Sequence, residues 1–296
     1  MTTSTQSFRI NQLPAPEVQK VERIKFDFGK SQLRTGKMMK RFPKLGKLVY
    51  NVFGYTNIGN YARAQVLTKL LNKLPLTSFQ KVLDLGCGYG EFSFMVAEKL
   101  KNLKVTALDI DSKRIEKVRD ARKEMELDNV EVFEGKIDSY PEDEHFDLIF
   151  SVDVFEHIYV EQMPFKDCFQ KLKPGGYLLV KMPNITQETI LPHKFFKDHN
   201  EWLDDEHVGQ VLNLEGLVRK FASAGFEVKY AANSDGKWAR AAWEIGYFSL
   251  KAGPVVQLAF LPLCKALIHI DKFFDNSEQG NAIQVIGRKP YKKLLD

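Results

Sequence analysis

The sequence predicts an α/β protein with a doubly wound, mostly parallel sheet. Short apolar runs alternate with stretches of helical periodicity from residue 81 to residue 230, and parallel strands need such helical crossovers. The first apolar run ends in a cluster of glycines, where open α/β sheets bind ligands. A chain of 296 residues, 44% hydrophobic and 27% charged, has the length and composition to bury one such core.

The periodicity predicts seven strands and the helices between them. The predicted strands are Lys81–Leu85, Lys104–Asp109, Val130–Glu134, Phe146–Val152, Gly176–Lys181, Phe226–Tyr230 and Ala282–Arg288. The predicted helices are Glu91–Leu100, Ser112–Glu126, Gln162–Leu172 and Leu214–Ala224. Ser112 is the expected N-cap of its helix, and Gly225 is the expected stop of the last one. Apolar residues at helical spacing between residues 42 and 74 predict further helices, which Pro75 ends.

The first 60 residues are basic. They hold eleven Lys or Arg and three Asp or Glu, a balance of +8, whereas the whole chain carries +5. This basic arm favours an anionic partner such as a membrane surface, a nucleic acid or a phosphorylated substrate; alternatively, it is a solvated, partly disordered leader. The arm has no apolar signal-peptide core and the three cysteines form no CxxC pair. We therefore expect a cytoplasmic protein, with peripheral membrane contact as an option.

The segment 84–90 (DLGCGYG) predicts the cofactor. A dinucleotide loop would place its third glycine at position 91, which is Glu91; here the third glycine is Gly90. Asp84 suits a ligand with an ammonium group better than one with a pyrophosphate. Asp109, at the end of the second strand, suits the two hydroxyls of a ribose. Together these features predict S-adenosylmethionine, although both aspartates are also typical of turn caps.

The expected cofactor contacts come from the loop and the ends of the next strands. They are Asp84, Gly86, Cys87, Gly88, Gly90, Asp109, Ile110, Ile137, Asp138 and Ser151. Ile110 is expected to pack on the adenine face. Ile137 and Asp138, which follow the third strand, are expected to meet the adenine edge.

In five segments the chain resembles the class I S-adenosylmethionine-dependent methyltransferases, particularly the small-molecule branch that includes ubiquinone-biosynthesis O-methyltransferases. The segments are VLDLGCGYG (82–90), ALDID (107–111), FDLIFSVDVFEHI (146–158), LKPGGYLLVKMPN (172–184) and AGFEV (224–228). The resemblance runs from about Lys81 to Gly225 and implies a Rossmann-like fold whose last strand lies antiparallel between the fifth and sixth. Ala282–Arg288 fits that strand. Many relatives have Asp where this chain has Lys136, so Ile137 or Asp138 is expected to contact the adenine instead.

The resemblance also implies a division of the chain. Residues 1–40 form a basic leader and residues 41–75 an N-terminal helical extension. Residues 76–296 form the methyltransferase domain, with 231–281 as an inserted lid or acceptor-binding segment. Residues 252–264 carry no charge, but two prolines are expected to interrupt them and they are too short to cross a membrane. We expect this segment to line an apolar acceptor tunnel, to lie in a membrane interface or to pack as an ordinary helix on the core.

The expected reaction is O-methylation of a small or lipid-linked molecule, such as a secondary metabolite, a quinone-like precursor or a glycan intermediate. Glu156, His157 and His207 are the candidate general bases. The resemblance also admits Asp153, Glu156 and His157 as ligands of a divalent metal, but many relatives with this segment use none, and a metal is not favoured.

Two other functions stay open. A nucleic-acid or protein methyltransferase would use the basic arm as its anchor. However, the chain has neither the Asn/Asp-Pro-Pro-aromatic motif of enzymes that methylate base amines nor the Pro-Cys nucleophile of cytosine C5 enzymes. The second alternative is a non-catalytic module that keeps the cofactor pocket.

Overall fold

A seven-stranded sheet forms the centre of the computed structural model, which describes residues 23–35, 41–196, 212–274 and 280–291. The strand order is β3-β2-β1-β4-β5-β7-β6. The strands are β1 (Lys81–Leu85), β2 (Lys104–Asp109), β3 (Val130–Glu134), β4 (Phe146–Val152), β5 (Leu172–Pro183), β6 (Glu227–Ser234) and β7 (Ala282–Arg288). Strands β1 to β5 pair in parallel, and β7 runs antiparallel between β5 and β6. The predicted fold class is confirmed, including its antiparallel last strand.

Helices cover the sheet and extend beyond it at one end. The helices of the described ranges are α1 (Gln32–Thr35), α2 (Pro43–Phe53), α3 (Ile58–Leu71), α4 (Glu91–Lys99), α5 (Ser112–Glu124), α6 (Phe165–Lys171), α7 (Leu214–Ser223), α8 (Lys237–Ala252) and α9 (Pro254–Asp271). Helices α1 to α3 precede the sheet, and α4 to α7 connect its strands. Helices α8 and α9 lie between β6 and β7.

Both faces of the sheet are buried. Successive strand residues point to opposite faces, so Val82 belongs to the core under α3, α4 and α5, whereas Leu83 belongs to the core under α6 and α7. Burial on both sides explains why the strands are almost continuously apolar. Because the faces are covered, a ligand reaches the sheet at the carboxyl ends of its strands.

Some element ends differ from the predictions because side chains and strand pairing decide them. Asp111, not Ser112, is the N-cap of α5: its carboxylate accepts hydrogen bonds from the N–H groups of the first turn at 2.9 and 3.1 Å. Strand β6 extends past Tyr230 because its pairing with β7 continues to Ser234. Gly225 follows α7 with φ +95°, as expected of a residue just beyond a helix.

Helices α8 and α9 form a hairpin that packs on α3. The buried residues of this contact are Ile58, Ala242, Leu261, Cys264 and Ile268. Pro254 is the first residue of α9, where its missing N–H costs nothing, and Pro262 lies inside the helix. The prediction that the prolines interrupt this segment is therefore wrong. Core contacts on either side of Pro262 outweigh its cost of about 3 kcal/mol to a helix.

A matched pair on α9 tests this packing. Leu261 is 1% exposed and Leu263 is 47% exposed. Leu261→Ala should lower the free energy of unfolding by about 2–5 kcal/mol because it opens a cavity in the hairpin core. Leu263→Ala should change it by less than about 0.5 kcal/mol. Urea denaturation of both variants measures the difference, and equal effects would contradict this packing.

Candidate functional site

A cavity of about 1720 Å³ opens at the carboxyl ends of the strands. The segments after β1, β2 and β3 line one part, here called the loop half. The segment after β5 and helix α8 line the other part, the helix half. Because β4 lies between these strands in the sheet, the residues that follow it stand at the centre of the cavity. The volume exceeds the roughly 300–1,000 Å³ of a typical small-ligand pocket, so two ligands can fit side by side.

The glycine loop adopts left-handed backbone at three positions. Gly86, Gly88 and Gly90 have φ of +77°, +56° and +78°. A Cβ on Gly86 would lie 2.5 Å from Val154, and one on Gly90 would lie 2.9 Å from Phe94. A Cβ on Gly88 would have nothing within 4 Å. Packing therefore requires two of the glycines, and the third presents bare backbone to the cavity.

Asp109 ties the glycine loop to the end of β2. Its Oδ2 accepts a hydrogen bond from the Gly88 N–H at 2.8 Å, and its Oδ1 accepts one from the Asp111 N–H at 2.9 Å. The side chain is largely buried but lines the cavity. Each oxygen keeps a lone pair for a further donor. A carboxylate edge is thus available to a ligand in the loop half.

Most of the predicted cofactor contacts line the loop half. They are Gly86, Cys87, Gly88, Asp109, Ile110, Ile137 and Asp138. Ile110 is 70% exposed, so its side chain is available as an apolar surface. The side chain of Ile137 is buried, and this residue offers its backbone.

Asp84 and Ser151 lie behind the cavity wall. The Ser93 hydroxyl donates to the Asp84 carboxylate at 2.6 Å. Burial, reinforced by the charge of Asp109, raises the pKa of Asp84 to about 7. The Ser151 hydroxyl donates to the Leu85 carbonyl at 2.9 Å. The structure brings neither side chain to the cavity surface, nor does it place Gly90 there.

An ion cluster, formed by Arg63, Asp153, Lys181 and Asp235, joins the ends of β4, β5 and β6 to α3. Lys181 Nζ lies 2.9 Å from Asp153 Oδ1 and 3.5 Å from Asp235 Oδ2, and Arg63 Nε donates to Asp153 Oδ2. Burial opposes the charge on Asp153, but Lys181 and Arg63 lower the pKa of this carboxyl to about 2. Both aspartates adopt left-handed backbone, with φ of +53° and +57°. This backbone conformation is unfavourable for aspartate, and the ion pairs with Lys181 help to stabilise it at both positions.

Glu156 lies beside the ion cluster in the short 3₁₀ turn Phe155–His157. Its side chain is buried and lines the cavity. Among the described residues, none makes a hydrogen bond to its Oε2. Burial and then the negative charge of Asp153 raise the pKa of Glu156 to about 8. The centre of the cavity thus holds a carboxyl group that exchanges its proton near neutral pH.

Asp153, Glu156 and His157 do not assemble a metal site. The Asp153 carboxylate is already paired with two cations, which would repel a third. Within the described ranges, no three His, Cys, Asp or Glu residues are grouped so that they could hold a metal ion. His157 is exposed and lines the cavity. His207 lies outside the described residues.

Sequence reasoning missed a chain of hydrogen bonds from α3 to the glycine loop. Asn60 Nδ2 donates to Glu91 Oε2 at 2.6 Å, and the Tyr55 hydroxyl donates to the other oxygen of Glu91. Arg63 Nη1 donates to Asn60 Oδ1 at 2.8 Å and so extends the chain to the ion cluster. Asn57, Asn60 and Arg63 recur at every third residue, which is a signal that could have found this polar face.

The helix half combines aromatic rings with unsatisfied polar atoms. The rings of Trp243 and Tyr247 stack with centroids 5.5 Å apart, and Phe196 lies 5.4 Å from Trp243. Arg240 Nε and Asn184 Oδ1 are buried and make no hydrogen bond within the described structure. A donor and an acceptor therefore stand beside an apolar wall. This is the composition of a site for a small organic molecule.

The fold and the position of the cavity define the chain as a Rossmann-like protein of the class I methyltransferase type. A family model described as a methyltransferase domain matches residues 76–233, and the chain belongs to this family. The family that the five sequence segments predict is confirmed.

Three curated relatives illustrate the range of the family. (S)-Coclaurine N-methyltransferase from Papaver somniferum is 29% identical over 48% of this chain and 40% of its own length. Phosphoethanolamine N-methyltransferase 1 from Zea mays is 33% identical over 57% of this chain and 34% of its own length. Trans-aconitate 2-methyltransferase from Rhizobium rhizogenes is 29% identical over 48% of this chain and 54% of its own length. The chain thus spans 34% to 54% of the length of these relatives.

Solved structures share the fold at low identity. Phosphoethanolamine N-methyltransferase 2 of Haemonchus contortus, in complex with S-adenosyl-L-methionine, matches with a TM-score of 0.56 and 20% identity over 88% of this chain and 60% of its own. A [4+2]-cyclase matches with a TM-score of 0.54 and 19% identity over 77% of this chain and 82% of its own. The fold therefore hosts more than one named reaction, and the site must decide the chemistry.

The raised pKa of Glu156 predicts a pH-dependent stability. Between about pH 4.5, its ordinary pKa, and about pH 8 the folded state holds a proton that the unfolded state has lost. Stability therefore falls as pH rises through this window. Glu156→Gln removes that fall, so the variant should gain on the order of a few kcal/mol over the wild type at pH 8 and little at pH 5.

Thermal unfolding between pH 5 and pH 8 measures this effect. Glu161→Gln, at an exposed position five residues away, is the matched control and should follow the wild type at every pH. If the curves of Glu156→Gln and the wild type run parallel over this range, Glu156 does not hold the proton.

Proposed function

We propose that this chain transfers a methyl group from S-adenosylmethionine to a small molecule and that Glu156 is its general base. The observation that carries the proposal is the buried Glu156 carboxyl at the centre of a two-ligand cavity, with a free oxygen and a pKa of about 8. Membership of the methyltransferase domain family supports the reaction class.

The loop half has the groups that S-adenosylmethionine requires. Gly88 offers bare backbone where a side chain would fill the space, and Asp109 offers a carboxylate edge to the ribose hydroxyls. Ile110 offers an exposed apolar surface to the adenine, beside Asp138 at its edge. Asp84 acts through the loop that it supports from behind. The residues present therefore fit the cofactor.

Glu156 performs the proton transfer. S-adenosylmethionine supplies a methyl group on positively charged sulfur, so the protein needs to orient the acceptor and remove its proton. In this proposal the Glu156 carboxyl, whose buried Oε2 has no partner among the described residues, turns to the bound acceptor, accepts its hydrogen bond and then takes its proton. A pKa near 8 suits this role, because a general base works best when its pKa is close to the working pH.

The acceptor atom that we propose is a hydroxyl oxygen of a small or lipid-linked molecule. A hydroxyl donates one hydrogen bond, which matches the Oε2 of Glu156 that has no partner among the described residues. The apolar body of such a molecule fits against the rings of Trp243, Tyr247 and Phe196.

An amine acceptor is the second candidate. Two of the three curated relatives described above, and four further relatives, are named N-methyltransferases. In addition, the carboxyl groups of Glu156 and Glu244 line the centre and the helix half of the cavity, and a carboxyl oxygen can accept a hydrogen bond from an ammonium. The same base would then remove the proton of the ammonium before the transfer.

Cofactor binding can be tested with a matched pair of glycine variants. Gly88 and Gly253 both have positive φ, of +56° and +117°, and a Cβ on either has nothing within 4 Å. Gly88→Ala should lose about 1–2 kcal/mol of stability in its left-handed backbone, and Gly253→Ala should lose at least as much, because φ +117° with ψ +166° is a region that only glycine adopts readily. Only Gly88→Ala should weaken the binding of S-adenosylhomocysteine, by about tenfold or more, because its methyl group projects into the cavity. Calorimetry measures both affinities, and equal affinities would remove the glycine loop from the cofactor site.

Turnover of Glu156→Gln tests the base. With a tritium-labelled methyl donor, the acceptors to compare are catechol for a hydroxyl oxygen, and phosphoethanolamine and coclaurine for nitrogen. On the best acceptor, wild-type turnover should rise with pH to a plateau above about pH 8. Glu156→Gln should be about 10²–10⁴-fold slower and lose this dependence, because the amide cannot take the proton.

The binding of S-adenosylhomocysteine is the control for this variant and should be unchanged. Glu156→Gln turnover within about twofold of the wild type would exclude Glu156 as the base. Tight cofactor binding without transfer to any acceptor would instead favour the non-catalytic module.

A further inference from the structure

Helix α9 is apolar on the face that it turns away from the protein. Its exposed large side chains are Val255, Val256, Phe260, Leu263 and Ile270, with exposures of 36% to 80%. Ala259, Pro262 and Ala266 are exposed between them. This outer face therefore runs almost the whole length of the helix. A surface helix of a protein surrounded only by water normally has charged and polar residues on this outer face.

Three polar side chains of α9 contact the rest of the protein, although His269 is itself exposed. Lys265 Nζ donates to the Phe53 carbonyl and lies 4.7 Å from the centre of the Tyr61 ring. His269 Nε2 lies 2.9 Å from the Tyr61 hydroxyl. Asp271 accepts hydrogen bonds from the N–H groups at the start of α8 at 3.1 Å. These polar groups are satisfied internally, which leaves the outer face to apolar atoms.

Helix α2 adds a second apolar stripe beside α9. Leu45, Leu48 and Val52 are exposed to 52%, 59% and 64% and follow one another at helical spacing. Lys44 and Lys47 are exposed between them. The bond from Lys265 of α9 to the last residue of α2 joins the two helices. We call the outer faces of α2 and α9 together the docking surface.

The segments that form this surface are basic, although Asp27 and Glu98 lie close enough to α2 to raise the pKa of Tyr50. No Asp or Glu occurs from Phe28 to Leu83, and none occurs between Glu244 and Asp271. The basic residues near the apolar stripes are therefore not neutralised by acidic neighbours in the same segments. An apolar face rimmed by lysines matches the acyl boundary and the anionic headgroups of a lipid bilayer.

We propose that the docking surface binds the interface of an anionic lipid bilayer. Helix α9 is long and apolar enough to cross a membrane, with 18 residues, a mean hydropathy of 1.3 and 17% burial. Both of its ends continue into the folded body, through α8 and β7, and its polar groups bond to that body. The helix therefore lies in the plane of the interface, as amphipathic interfacial helices do.

The cavity opens next to the docking surface. Leu250, near the end of α8, is 59% exposed and lines the cavity, and α9 begins four residues later. Thr56 and Ile58, just after α2, also line it. If the chain catalyses the proposed reaction, an amphipathic acceptor can pass from the bilayer into the cavity without entering the aqueous phase. The docking itself does not depend on the reaction.

Vesicle sedimentation of the full chain tests the proposal. Vesicles of phosphatidylcholine and phosphatidylserine should sediment the wild type, and vesicles of phosphatidylcholine alone should sediment less of it. Phe260→Glu/Leu263→Glu should bind the anionic vesicles at least about tenfold more weakly, because two charges would enter the acyl boundary. Lys44→Gln/Lys47→Gln should lose about fivefold per lysine at low salt.

The matched control is Thr77→Glu/Asn102→Glu, which adds the same charge at two exposed positions outside the docking surface. It should bind nearly as well as the wild type. All variants should keep their affinity for S-adenosylhomocysteine, which shows that they are folded, and vesicle binding is measured without turnover. A failure of docking and a failure of the proposed reaction are therefore separate results.

Two outcomes would overturn the proposal. One is equal vesicle binding by the wild type and Phe260→Glu/Leu263→Glu. The other is a wild type that does not bind vesicles but forms a dimer in analytical ultracentrifugation, which the same substitutions dissociate. The docking surface would then be the contact between two copies of the chain.

Discussion

The buried Lys181 is the residue on which the arrangement of the cavity depends. It lies at the end of β5 and pairs with an aspartate after β4 and another after β6, and Arg63 of α3 completes the cluster. Two cations and two anions balance: the side chains of Lys181 and Asp153 are largely buried, whereas Arg63 and Asp235 keep part of their side chains exposed. Glu156 is left outside this balance. The same cluster that orders the cavity therefore keeps a proton on the proposed base.

The hairpin of α8 and α9 forms part of two surfaces, the wall of the cavity and the docking surface. Its inner side gives the cavity an aromatic wall, with Trp243 and Tyr247 as the main rings, and its polar groups bond to α2 and α3. Its outer side is apolar because the polar groups are already used inside. A proposed acceptor site and a proposed membrane contact thus follow from one helical hairpin between β6 and β7.

The predictions that were confirmed concern patterns that are local in the chain. The seven strands, the antiparallel position of β7 and the family follow from alternation, spacing and five short segments. The structure adds to or corrects the predictions where distant parts of the chain decide. Pro262 is tolerated because its helix packs on α3, and the Asp84 carboxylate accepts a hydrogen bond from Ser93 of the next helix. The polar face of α3 was missed because its partners lie on other elements.

The sequence by itself determined the glycine loop, the acidic end of β2 and the alternation of strands and helices. These features depend on φ angles and on side-chain periodicity, which neighbouring residues set. Only the tertiary structure decided that Lys181 pairs with Asp153, that Glu156 holds its proton and that α9 turns its apolar face outward. Charge pairing and burial depend on which elements meet, and the chain brings those elements together only when it folds.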